Sequence, residues 1–125
     1  MITGVVNANR EATVPLILRD AAGADHAVEA VIDTGFTGSL TLPTTLIESL
    51  RLTWHGREQG ILGDGSVGIF DIFAATVIWD GRQRTVETAA ADTEPLIGMG
   101  LLEGHVLRVE GVEGGEVDIR AMGAE

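Results

Sequence analysis

Apolar positions along this chain recur mostly with a period of two, in short runs punctuated by glycine, aspartate and asparagine, which is the signature of strands and tight turns. Met1 to Val6 reads as a first strand, Asn7-Ala8-Asn9-Arg10 as a turn, and Thr13 to Arg19 as a second strand. Pro15 within it points to an edge or a bulge, because proline has no amide to donate. Asp20-Ala21-Ala22-Gly23 predicts a hairpin turn, and Ala27 to Ile32 a third strand. Leu40 and Leu42 alternate with threonines. The period then changes over Pro43 to Leu50, where Leu46, Ile47 and Leu50 share a helical face and Glu48 points outward. Pro43 suits a first helical turn. A helix of about two turns needs packing to stabilise it.

In the second half, Leu52 to Gln59 reads as a strand or an irregular connector anchored by Trp54. Ile61 to Phe70 carries the strongest hairpin signal, since Asp64-Gly65 between apolar runs suits a type I′ turn. Asp71 to Trp79 places Ile72, Ala74, Thr76 and Ile78 on one face and Phe73, Ala75, Val77 and Trp79 on the other. Two apolar faces predict a central strand covered on both sides. Both tryptophans are expected in the core. Asp80-Gly81 is a second turn, and Arg82 to Ala91 the returning strand. Leu96-Ile97-Gly98 and Leu101-Leu102 form a further apolar stretch. His105 to Val109 and Glu116 to Arg120 are the last strands, joined by a turn at Gly111 to Gly115. Met122 to Glu125 is expected to fray.

Length and composition narrow the class. The 125 residues suit one domain spanning 1–125. Seventeen glycines with few aromatics favour an all-β domain with one or two short helices. The net charge is −11, with all eight cationic side chains arginine and no lysine. Nucleic acid is therefore not an expected partner, because the basic stripe it requires is missing. Anionic membrane surfaces are disfavoured on the same ground. No apolar run approaches the roughly 20 residues of a membrane helix. No basic stretch precedes an apolar one at the N-terminus, so a cytoplasmic location is expected.

Without cysteine there is no disulfide or thiol chemistry. His26, His55 and His105 are too scattered for a zinc pair. Asp92-Thr93-Glu94 lacks the ligand run of a calcium loop. Ser39 and Ser66 lack the setting of a nucleophile. The glycines are not followed by the Lys-Ser/Thr of a phosphate loop. No metal or organic cofactor is implied.

One stretch remains. The β-branched run Val31-Ile32 leads into Asp33-Thr34-Gly35-Phe36, which puts an acid at a strand tip on a sharp turn. This stretch resembles the active-site loop of aspartic proteases, in particular the small prokaryotic branch of the retropepsin-like clan, whose loop reads Asp-Thr-Gly-Phe. The resemblance covers roughly residues 13 to 109. It implies a closed, retropepsin-like acid-protease β-barrel, one lobe per chain, with Asp33 catalytic and Thr34, Gly35 and Phe36 shaping the loop. By the same resemblance, Gly63, Asp64, Gly65 and Ser66 belong to a flap over bound peptide. Leu96, Ile97 and Gly98 thread beside the acid loop as its support. Two positions depart from the pattern: Phe36 stands where a small alanine is usual, and Met99-Gly100 replaces a polar or charged pair.

Aspartic protease chemistry needs two carboxylates sharing a proton. This chain has one Asp-Thr-Gly and no second Asp in such a setting. A two-fold homodimer would bring Asp33 to its own copy. The expectation is thus a homodimeric aspartyl endopeptidase acting on a peptide or protein substrate. The alternative is a catalytically inactive retropepsin-like module that binds peptide or dimerises. A monomeric β-barrel ligand binder, with Asp33 unpaired, is the third reading.

Overall fold

The computed structural model describes residues 1–123. Its strands are β1 (Ile2–Val6), β2 (Ala12–Arg19), β3 (Asp25–Ile32), β4 (Leu40–Leu42), β5 (Thr53–Ile61), β6 (Val67–Trp79), β7 (Arg82–Ala90), β8 (Leu96–Ile97), β9 (His105–Val109) and β10 (Glu116–Ala121). Two short helices, α1 (Thr44–Leu50) and α2 (Met99–Leu102), interrupt them. The fold is all-β with two short helices.

The strands form one sheet in the order β5-β6-β7-β4-β8-β3-β2-β1-β10-β9. An additional pairing, Ile17 to Arg19 of β2 against Thr76 to Ile78 of β6, joins distant members of that order. The hydrogen-bonded path β6-β7-β4-β8-β3-β2 therefore returns to β6. Leu16, Leu18, Leu40, Leu42, Ile47, Leu50, Val77, Ile97 and Leu101 fill the interior, each essentially inaccessible. Such burial is worth about 1.5–3 kcal/mol per large side chain.

Helix α1 buries Ile47 and Leu50 and leaves Glu48 exposed, as its period predicts. Pro43 is extended before the first turn, and Arg51 closes the helix in a left-handed conformation.

Four expectations change. Pro15 is on an interior strand, not an edge. It falls after the pairing of β2 with β1 at Ala12 and Thr13 and before its pairing with β6 at Ile17, so its missing amide leaves no ladder bond open. On β6, Ala75, Val77 and Trp79 are buried with Phe73 half-buried, whereas on the other face Ile72 is buried but Ala74, Thr76 and Ile78 are only half-buried, so that face is partly open. Trp79 is a core residue, whereas Trp54 is 57% exposed and donates its indole N–H to Asp71 (3.1 Å). Finally, Met122 does not fray: its amide donates to the Gly104 carbonyl. The last two residues of the expected frayed end, 124–125, lie outside the described residues.

Candidate active site

Strand β3 delivers Asp33 to its tip. The Asp33 amide donates to the Ile97 carbonyl (2.8 Å), and the Phe36 amide donates back to the Asp33 carbonyl (3.1 Å), closing the turn. The Gly35 amide donates to Asp33 Oδ1 (3.0 Å), which fixes the carboxylate over its own loop. Asp33 is half-buried; Thr34 and Gly35 are exposed.

The support beneath the loop is β8 and the start of α2. Strand β8 runs parallel to β3, pairing Val31 with Leu96 and Ile32 with Ile97, and antiparallel to β4. It is thus wedged between the strand entering the loop and the strand leaving it. Further on, the Gly98 amide donates to the Ser39 carbonyl, that of Met99 to Phe36 and that of Gly100 to Gly38, at 2.8–3.1 Å. Three successive amides thus bond to the loop from below, and β3 and β4 hold it by covalent continuity on either side. A Cβ on Gly98 would lie 2.5 Å from Phe36 Cδ2 and 2.7 Å from the Phe36 carbonyl oxygen. No side chain fits there. The Phe36 ring also reaches Gly38, where a Cβ would lie 2.6 Å from Cε1 and Cζ. Phe36 therefore occupies the space that two glycines leave, and the larger residue is built into the loop.

Opposite the loop stands the β5–β6 hairpin. Its tip is a type I turn followed by a left-handed Gly65: the Gly65 amide donates to Leu62, and the Leu62 amide to Ser66. Asp64 is not left-handed, so the expected type I′ turn is absent here. It occurs at Asp80-Gly81, where both residues have positive φ. The difference follows from loop length, two residues between Trp79 and Arg82 against a longer link between Ile61 and Val67. Asp64 Oδ1 accepts from the Ser66 hydroxyl (2.6 Å) and amide (2.9 Å), and these bonds hold its carboxyl below the usual carboxylate range.

A cleft of roughly 380 Å³ lies between loop and hairpin. Phe36, Thr37, Gly38 and Thr41 form one wall, and Glu58, Gln59, Gly60, Ile61, Phe70 and Ile72 the other, with Ala89 between them. The register pairs Glu58 with Phe70 and Gly56 with Ile72, so the side chains of Glu58, Phe70 and Ile72 share the face that looks into the cleft.

No family model and no curated protein sequence matches this chain. Solved structures do. EIAV protease complexed with the inhibitor HBY-793 superposes with a TM-score of 0.58 at 22% identity, over 78% of this chain and 89% of that one. A retropepsin-like aspartic protease from Rickettsia conorii superposes with a TM-score of 0.54 at 13% identity, over 95% of this chain and 92% of that one. The fold is retropepsin-like.

Within this retropepsin-like fold, the residues singled out from sequence fall into two groups. Asp33, Thr34, Gly35, Phe36, Leu96, Ile97 and Gly98 come together as one loop and its support. Gly63, Asp64, Gly65 and Ser66 form the hairpin tip and do not line the cleft. The hairpin residues that do line it, Glu58, Gln59, Gly60, Phe70 and Ile72, lie nearer its base and were not picked out. Their signal was present in the alternation of β5 and β6, but only the register shows which face turns inward. The φ of Gly35 is not left-handed, so its backbone conformation does not call for glycine; a Cβ there would crowd the Asp33 carboxylate, at 3.3 Å from Oδ1. Among the described residues, no three His, Asp or Glu side chains are grouped as a metal site would need, and no helix is long and apolar enough to cross a membrane.

Proposed function

We propose that this chain is one half of an aspartyl endopeptidase, a single domain over residues 1–125 that works as a cytoplasmic homodimer. The observation that carries the reading is one rigidly supported Asp-Thr-Gly loop at the edge of a cleft, in a retropepsin-like fold. A lone carboxylate cannot serve as both acid and base. Two copies of Asp33 about 3 Å apart cannot both ionise, so the pair holds one shared proton. The ionised member removes a proton from water as the oxygen attacks the peptide carbonyl. The protonated member hydrogen-bonds the carbonyl oxygen and donates its proton to it. In the collapse of the tetrahedral intermediate, a proton passes to the leaving amine and the C–N bond breaks. Water is the nucleophile, and the scheme uses no cofactor.

Three features support the dimer. Gly35 is exposed and presents a bare backbone that a second chain can approach. Thr34 is exposed beside it, with a hydroxyl free to bond across an axis. Among the described residues, the Asp33 carboxylate receives one hydrogen bond, from Gly35, and has capacity for more. The hairpin tip at Gly63, Asp64, Gly65 and Ser66 acts as the flap over bound peptide.

The test is digestion of a mixed peptide library by wild type and by Asp33→Asn. The amide keeps the shape of the acid but cannot carry the shared proton. Wild type is expected to cut and Asp33→Asn to lose at least about 10³-fold, the scale of removing an essential acid–base group. Binding of peptide without cleavage by wild type would make the chain an inactive peptide-binding module instead.

A further inference from the structure

We propose that Glu58 selects substrates carrying an arginine or lysine side chain in the cleft between the acid loop and the hairpin; this rests on the endopeptidase reading and names its substrate class. The cleft wall holds a single charged residue, Glu58, among apolar and small polar ones that include Phe36, Phe70 and Ile72. The pairing of Glu58 with Phe70 puts its carboxylate on the inward face of the hairpin, beside that ring. Nothing of opposite charge neutralises it among the described residues. Neighbouring Arg57 projects from the other face and is held by Asp71 (3.1 Å). The chain has no lysine to supply a counter-ion, and its net charge is −11.

An apolar trough with one uncompensated anion matches a side chain that is an aliphatic stem with a cationic head. The stem would lie along Phe70 and Phe36, and the head would reach the Glu58 carboxylate. The aromatic rings add attraction for a guanidinium or ammonium passing over them. An acidic side chain in the same place would be repelled by Glu58, and by a chain whose overall field is negative. A covered peptide excludes water from the pair, so the interaction exceeds that of an open surface ion pair. It should be worth a preference of about three- to tenfold over an uncharged side chain.

The experiment separates binding from cutting. Asp33→Asn protein and Asp33→Asn/Glu58→Gln protein are immobilised and exposed to one equimolar library of decapeptides, and the retained sequences are counted. The expected result is enrichment of arginine- and lysine-containing peptides on the first protein, loss of that enrichment on the second, and a shift toward aspartate and glutamate with Glu58→Arg in its place. Inversion of preference is a readout that a merely structural role for Glu58 would not move. Equal retention of cationic and neutral peptides by the first protein overturns the proposal, as does an enrichment that survives Glu58→Gln. Digestion of the same library by wild type tests the endopeptidase reading separately. Cationic enrichment without cleavage would uphold Glu58 and remove the enzyme; cleavage without cationic preference would do the reverse.

Discussion

At the residue scale, two glycines of the site make opposite predictions. Gly98 lies under the acid loop with no room for a methyl group. Gly98→Ala is expected to destabilise the protein by about 1–3 kcal/mol, the usual cost of overpacking a tight site, read as a lower midpoint in urea. Gly35 faces outward, so Gly35→Val should leave the unfolding midpoint of the separated chain nearly unchanged while weakening association and peptide cleavage together. Equilibrium unfolding and sedimentation of both variants check the pair. Loss of chain stability in the Gly35 variant alone would place its role inside the subunit. The acid itself was legible from Val31-Ile32-Asp33-Thr34-Gly35, because a β-branched run ending in that triplet combines a strand tip with a turn. The seat of Phe36 was not, because it depends on Gly98, some sixty residues away, approaching through β8.

The β5–β6 hairpin shows the same division at the element scale. Its existence follows from Asp64-Gly65 between apolar runs. Its turn type does not, since the same dipeptide adopts two conformations here according to the number of residues between the paired strands. The face it turns to the cleft also required the register, and Trp54, expected as an anchor, is exposed and bonded to Asp71 across the strand pair. The tip is built from local bonds alone, which makes it a low-stability segment. Amide exchange over Gly63 to Gly68 should be fast in the free protein and slowed by bound peptide; uniformly slow exchange would argue against a moving flap. Asp64 adds a pH dependence. Its folded pKa is depressed by Ser66, so its contribution is present above the unfolded value and lost as pH falls through the folded one. Protection of the Ser66 amide, measured against its intrinsic exchange rate at each pH, should fall below about pH 4, near the ordinary carboxylate range, and Asp64→Asn should blunt that fall.

For the whole molecule, alternation and glycine content made an all-β fold readable, and the retropepsin-like likeness is seen in the superpositions. Closure was implied by the resemblance and not by any local pattern: the pairing of β2 with β6 that returns the strand path joins residues some sixty positions apart and leaves no local mark. The proposed working unit is two chains around one pair of Asp33 carboxylates, and subunit mixing tests it. Wild type and Asp33→Asn are combined in varying ratio at constant total chain concentration, allowed to exchange subunits, and assayed for peptide cleavage. If every site needs Asp33 from both chains, mixed dimers are dead and activity follows the square of the wild-type fraction, about one quarter at equal parts. Activity in simple proportion to that fraction, about one half at equal parts, would show that each chain cuts with its own acid and would contradict the shared site.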